Sequence, residues 1–469
     1  MRARKLVRTR IMMLVTLVTL TVTTPGSFAA RRFQRPNVLL VTIDDLSTDL
    51  SIYRNREVVS PHFKRLASRS MRFDRAYTQF PTCNPSRTSM LTGLRPGTTG
   101  ILDNTVFFRT LLPDVVTLPQ FFRQRGYFTM NIGKTFHGVG DKSWDDLSSW
   151  DISITPGGRN KWRSGEGRNL TNDKIAWARW VASDRPDADH PDGRVASAAV
   201  SALEELHSTA EPFFLAVGFQ RPHSPFIAPK RYFDLYDLAQ LELRDPPAER
   251  SDNLPSATTK RDARIFRRMQ EGDRREFLRA YYACVSFIDQ QLGLLLDTLD
   301  RLDAWDDTIV VVTSDHGFHL GEHEWWGKNT VYEPSNRVPL IIYAPGVPLR
   351  RHRSRRMIEL VDIYPTLVEL AGWVPSAELE GRSLVPLLEK PVRPWSKASF
   401  SQVKRKKFDG VSLRTKRWRY SEWNAGENGV ELYDHSNDPG EYANLATLPE
   451  YGAVVRQLEE LLRSVFPDN

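Results

Sequence analysis

The sequence predicts an α/β fold with a mostly parallel central sheet covered by helices. Four short runs, 37–43, 213–218, 308–313 and 339–343, are almost continuously apolar, as strands buried on both faces are. Helical patterns lie between them, and strands alternating with helices build a parallel sheet. The first and third runs lead directly into Asp44-Asp45 and Asp315-His316, at the strand ends where α/β sheets keep their sites.

Taken in order, Asn37 to Ile43 is the first buried strand. Ser60 caps a helix that opens at Pro61 and carries Phe63, Leu66 and Ala67. Pro85, at a first-turn position, starts a helix bearing Arg87 and Leu91. Thr117-Leu118-Pro119 opens another, which ends at Gly126, and the strand 127–132 then delivers Lys134. The stretch from Lys142 to Asp192, rich in Trp, Gly, Asp and Asn, reads as a long loop over the site. The strand 213–218 delivers His223, residues 270–302 form a long amphipathic helix, and the strand 308–313 delivers Asp315 and His316. Pro339 to Tyr343 is the fourth strand and Asp362 to Leu370 a helix. Beyond residue 390 the texture changes to short strands at 399–403, 410–414, 417–421 and 431–434, closed by a helix at about 449–465. The expected division is a signal peptide at 1–30, a catalytic domain at 31–389 and a small C-terminal α+β subdomain at 390–469.

Arg2, Arg4, Lys5, Arg8 and Arg10 precede the apolar stretch Ile11 to Val22 and the small-x-small site Ser27-Phe28-Ala29. This pattern predicts export, secreted or periplasmic. The apolar stretch falls short of the roughly 20 residues a bilayer span needs, so no stable membrane insertion is expected. The net charge of +8 falls to +3 without those five cations. Arg350-Arg351-His352-Arg353-Ser354-Arg355-Arg356 and Lys404-Arg405-Lys406-Lys407 read as solvated surface, or as contacts to a polyanion such as a sulfated glycan. An exported protein is not expected to meet nucleic acid. There are two cysteines, Cys83 and Cys284; a disulfide between them stays open, with Cys284 otherwise a small buried residue.

Cys83 sits in Cys83-Asn84-Pro85-Ser86-Arg87-Thr88-Ser89-Met90-Leu91-Thr92-Gly93. Around it the chain offers Asp44-Asp45, Lys134 and His137, Arg221-Pro222-His223, Ser314-Asp315-His316-Gly317 and Lys328, parts for gripping a metal and a small anion. The Cys-x-Pro-Ser-Arg-x-x-x-Leu-Thr-Gly run resembles the signature of type I sulfatases. Asp-His-Gly at 315–317 and the Lys-x-x-His spacing at 134–137 are similar to the iduronate-2-sulfatase branch of that family; arylsulfatases and choline sulfatases usually show Lys-x-His. The likeness runs from Arg35 to about Leu445. Phe318 and residues 102–109 depart from it, at positions that bear on the sugar preference.

The resemblance implies the alkaline-phosphatase-like sulfatase fold with a small C-terminal antiparallel sheet. It implies one Ca²⁺ held by Asp44, Asp45, residue 83, Asp315 and His316, although three acids alone would equally suit Mg²⁺ or Mn²⁺. It implies that a formylglycine-generating maturase oxidises Cys83, with Pro85 and Arg87 part of the conversion signal. One hydroxyl of the aldehyde hydrate would attack sulfur, and loss of a proton from the other would release sulfate. Arg87 and Lys134 would hold sulfate oxygens, His137 would take the second hydroxyl's proton, and His223, assisted by Lys328, would protonate the leaving oxygen. His319, His323, Trp325 and Trp326 either line the pocket mouth or pack.

The expected activity is hydrolysis of a sulfate ester on a sulfated sugar or polysaccharide. The rivals are a choline-sulfatase-like or phosphonate monoester hydrolase on the same fold, and a non-catalytic binder of sulfated polysaccharide.

Overall fold

The computed structural model describes residues 35–467, except 54, 139–144, 157–164, 210, 248–254, 256–262, 348–352 and 406–407. The signal at 1–30 and parts of both basic runs (Arg350 to His352, Lys406 and Lys407) lie outside the described residues.

The strands, in chain order, are β1 (Asn37–Ile43), β2 (Met71–Tyr77), β3 (Phe128–Gly133), β4 (Ile152–Ile154), β5 (Glu166–Asn169), β6 (Arg179–Ser183), β7 (Phe213–Phe219), β8 (Phe226–Pro229) and β9 (Thr308–Ser314). They continue with β10 (His319–Leu320), β11 (Trp326–Gly327), β12 (Arg337–Tyr343), β13 (Arg353–Glu359), β14 (Ser399–Arg405), β15 (Phe408–Arg414), β16 (Trp418–Trp423) and β17 (Val430–Asp434). Eight build the main sheet in the order β13-β2-β12-β9-β1-β7-β3-β4. Only β12 runs antiparallel to its neighbours, so the expected mostly parallel sheet is present, with the fourth apolar run as its one reversed strand.

The two-residue period of β1 divides the core. Leu39, Val41 and Ile43 face one layer, built with the helices Pro191–Ser208 and Glu271–Arg301. Val38 and Leu40 face the other, with Met90, Phe122 and Leu367 from the helices Cys83–Thr92, Leu118–Arg123 and Ile363–Leu370. Apolar layers on both faces explain why β1 and β9 are buried along their whole length and lack polar alternation. The C-terminal sheet, β14-β15-β16-β17, is wholly antiparallel and packs on the helix Gly452–Arg463. It is tied to the main sheet by Gln402 N donating to Gln79 O at 2.9 Å and Phe400 N to Glu359 Oε1 at 2.9 Å. No helix of the described residues is long and apolar enough to cross a membrane.

Several expectations are corrected. The stretch 142–192 is no single loop: β4 extends the main sheet, and β5 and β6 join β8 in a three-stranded sheet. Its Gly and Asp content hid short strands, of which β4 and β6 also pair with strands outside the stretch, β3 and β8. The helix Pro191–Ser208, β2 and β13 were not anticipated; β2 (Met-Arg-Phe-Asp-Arg-Ala-Tyr) and β13 are charged because they form one side of the sheet. Part of the first basic run, Arg353 to Arg356, is therefore an edge strand, on which Arg355 is solvated and Ser354 buried. The Cys83 helix starts at Cys83 itself, with Pro85 two residues inside. Ser60 is at the N-cap position of its helix, but its hydroxyl faces Ser51. The Asp289 carboxylate does the capping, accepting from His62 N at 3.0 Å and Phe63 N at 2.8 Å.

Candidate active site

The C-terminal ends of β1, β3 and β9 meet the start of the helix Cys83–Thr92. Parallel strands point all their C-termini the same way, so residues far apart in the chain converge there. Cys83 Sγ lies 3.3 Å from Asp44 Oδ1, 3.4 Å from His316 Nε2 and 3.2 Å from Lys328 Nζ. Burial raises its thiol, but Lys134 and Lys328, with hydrogen bonds to His137 and His223, outweigh this and hold it well below the ordinary thiol value.

Three cationic side chains interleave with three carboxylates. Lys134 Nζ donates to Asp44 Oδ2, and Lys328 Nζ donates to Asp45 Oδ1 at 2.6 Å. Arg87, fully buried, donates from Nε to Asp315 Oδ2 at 2.9 Å and from Nη1 to the carbonyls of Lys134 and Thr135 at 2.6 and 3.0 Å. Burial raises Asp315 to about 6 despite Arg87, with Asp44 adding to the rise. For Asp44, burial is overcome chiefly by Lys134, and its carboxyl sits far below the usual range.

His316 places Nδ1 3.0 Å from the Gly317 carbonyl, which can only accept, so that nitrogen carries a proton. Its Nε2 faces Asp45 Oδ1 at 3.4 Å and Asp315 Oδ2 at 3.6 Å. His223 Nε2 stands 4.0 Å from Asp45 Oδ2 at the open side of the cluster, with 36% of its side chain exposed. Every residue that the sequence nominated is thus brought to one place: Asp44, Asp45, Cys83, Arg87, Lys134, His137, His223, Asp315, His316 and Lys328.

The donor set fits a hard divalent cation. Ligand atoms of Asp44, Cys83, Asp315 and His316 lie within 4.8 Å of one another, as do those of Asp44, Asp45, Cys83 and His223. Asp45 Oδ2 and Arg87 Nη2 are buried without a hydrogen-bond partner, as groups reserved for an ion and an anion would be.

The other aromatic candidates pack. His323 stacks on Tyr332 at 4.2 Å, Trp326 lies 4.6 Å from Phe277, and His319 is fully buried with Nε2 2.7 Å from Thr330 Oγ1. Cys83 and Cys284 are both free thiols, which closes the disulfide alternative; burial pushes Cys284 up to about 12. Sequence reading missed Tyr281, which grips the backbone at Asp45, because nothing near it in the chain marks that role. It also missed a usable signal, Gly133 at the end of β3 and Gly218 one residue before the end of β7. A Cβ on Gly218 would meet Lys134 O at 2.0 Å, and one on Gly133 would meet Gly218 O at 2.2 Å. Only glycine lets the two backbones close enough to present Lys134 O to Arg87.

Comparison with known proteins gives a consistent picture. A family model described as Sulfatase matches residues 36–373, and one described as N-sulphoglucosamine sulphohydrolase, C-terminal, matches 321–467. A sulfatase of Formosa agariphila is 32% identical, with 92% of this chain and 87% of the relative covered. Iduronate 2-sulfatase of Homo sapiens is 32% identical, with 86% and 87% covered. Among solved structures, the phosphonate monoester hydrolase of Agrobacterium radiobacter superimposes with a TM-score of 0.74 at 24% identity, over 92% of this chain and 95% of that one, a likeness of fold.

Proposed function

The chain belongs to the sulfatase family, whose members hydrolyse sulfate esters, and on that premise we propose that it removes sulfate from a sulfated, uronate-containing glycan. The observation that carries the reading is the buried cluster in which one thiol touches Asp44, His316 and Lys328 together. A thiol there stands in for the aldehyde that conversion of Cys83 would give. That hydrated aldehyde would supply a geminal diol, one hydroxyl to attack sulfur and the other to expel sulfate once deprotonated.

Asp44, Asp45, residue 83, Asp315 and His316 would hold a divalent cation, which would supply charge stabilisation to the sulfate oxygens. The charge balance favours this. Lys134, Lys328 and Arg87 already match the three carboxylates, so a dication gives the cluster the positive excess an anionic ester needs. Arg87 keeps Nη2 directed at the Asp44 side, at 3.8 Å from Oδ1, and orients the nucleophile. Lys134 and Lys328 neutralise sulfate oxygens as point charges. His137, hydrogen-bonded at residue 83, accepts the proton of the second hydroxyl. Burial lowers His223, but Asp45, together with Asp44 and a hydrogen bond at residue 83, raises it above its ordinary value; it is the group placed to deliver a proton to the leaving oxygen from the open side.

Turnover of an iduronate-2-sulfate-terminated disaccharide, choline sulfate and a phosphonate monoester, compared on the natively expressed protein, tests the substrate class. The disaccharide is expected to dominate; turnover of choline sulfate alone would replace the glycan reading. The Cys83 peptide should weigh about 18 Da less than its cysteine form. A Cys83→Ala variant with full activity would remove the mechanism, and a wholly unconverted native chain without sulfatase activity would favour a carbohydrate binder.

A further inference from the structure

Two cavities lie along the seam between the β13–β2 edge of the main sheet and the C-terminal sheet. Their volumes are about 1080 and 410 Å³, and both are walled by Arg75, Arg353 and Arg355, so they form one groove. No residue of the sulfate site lines it.

Nine arginine or lysine side chains line the pair, against two acids, Asp74 and Glu333. Each acid is shared among three guanidinium groups. Asp74 meets Arg72 at 3.0 Å, Arg355 at 3.9 Å and Arg353. Glu333 meets Arg419 at 2.7 Å, Arg414 at 3.4 Å and Arg337 at 3.9 Å. Lys397 is neutralised from behind by Glu359 and Asp362. Arg75, Arg356 and Lys416 reach no carboxylate within ion-pair distance among the described residues. Arg75 donates instead to the Lys416 carbonyl at 3.5 Å, and Arg356 to that of Val392. Burial, helped by the positive charges of Arg414 and Arg337 and opposed by Tyr77 and Glu333, pushes the Arg75 guanidinium below its ordinary value. The larger cavity also has apolar walls, Met357, Val392, Trp395 and Leu461, and the Trp395 N–H is already bonded to Met357 O at 2.9 Å.

We propose that this groove is an accessory binding site for a sulfated polysaccharide, separate from the site of hydrolysis. The choice of glycan rests on the substrate class proposed above. Sulfate groups stay ionised at every physiological pH and match the planar fork of arginine. Sugar C–H faces suit the carbon surface around Trp395. The combined space exceeds what one small ester fills, since small-molecule pockets run to roughly 300–1,000 Å³. A chain carrying many sulfates relieves the excess positive charge along the whole groove.

The test uses the full chain as Cys83→Ala, which binds without cleaving, and a heparin-type dodecasaccharide. Its desulfated form and single-stranded DNA of equal length are the controls. Adding Arg75→Ala, Arg355→Ala and Lys416→Ala should weaken the sulfated dodecasaccharide at least roughly tenfold, with a shallower salt dependence. The same three changes in the chain with Cys83 intact should leave hydrolysis of a small aryl sulfate unchanged, which also reports folding. If the triple variant does not fold, Arg355→Glu serves alone, since 66% of that side chain is exposed. Unchanged affinity in a folded variant overturns the proposal, and so does equal binding of the DNA or the desulfated chain. Lost polysaccharide binding in a protein that hydrolyses no sulfate ester would keep the groove and sink the catalytic reading. Glycan hydrolysis with unaltered binding in the variant would do the reverse.

Discussion

Tyr281 holds Asp45 by its backbone. Its Oη donates to Asp45 O at 2.7 Å and accepts from Ser47 N at 2.8 Å, and Asp45 itself is in the left-handed region with φ of 62°. A non-glycine residue keeps that conformation only where its surroundings enforce it. Tyr281→Phe should therefore cost about 1–3 kcal/mol, because two buried backbone groups lose their partner. It should also raise the cation concentration needed for half-maximal activity. Denaturant unfolding and a calcium titration check both; a variant matching the parent in each would show that Asp45 is held by other means.

Asp45→Asn should cut sulfate ester hydrolysis at least roughly a hundredfold, because the cation's contribution is worth several kcal/mol. An asparagine there keeps an oxygen to accept the Lys328 hydrogen bond that Oδ1 now takes, and Oδ2 has no hydrogen bond in the protein to lose, so the fold should persist. Elemental analysis should find less than one divalent ion per chain in the variant. Chelation of the parent should abolish activity in the same way, with recovery on adding Ca²⁺.

Glu359 is buried beneath Arg95, at 2.7 Å, and Lys397, at 3.0 Å. Burial raises its carboxyl, but these two cations overcome that and bring it down to about 2 from 4.5. Because the folded value is the lower one, this stabilisation is complete above pH 4.5 and is lost as pH falls toward 2. Glu359→Gln should be destabilised by about 3–5 kcal/mol near neutrality, with two buried cations left short of charge. Its deficit in thermal midpoint should shrink as pH drops below 4.5. A deficit constant with pH would mean the loss is one of packing.

Cys284 should resist thiol reagents in the native protein and react only on unfolding, since it is fully buried and its thiol is pushed up to about 12. Cys284→Ala should leave hydrolysis unchanged. Reaction of Cys284 in the folded chain, followed by mass spectrometry, would contradict its placement.

The sequence by itself nominated the residues that the fold brings together, and it marked the apolar strands at the centre of the sheet. Asp44, Asp45, Asp315 and Lys134 were legible because each follows an apolar run, and Cys83 to Gly93 because the run resembles the type I sulfatase signature. These are local patterns, and local order in the chain is enough to record them. Tertiary structure alone decided what depends on partners distant in the chain. β2 and β13 are strands because they pair with each other across some 280 residues, despite their charges. Asp289, not Ser60, caps the helix Pro61–Arg69 because the long helix Glu271–Arg301 lies against it. The grip of Tyr281 on Asp45 and the basic seam around Arg75 have the same origin: packing brings together groups whose spacing along the chain carries no record of the contact.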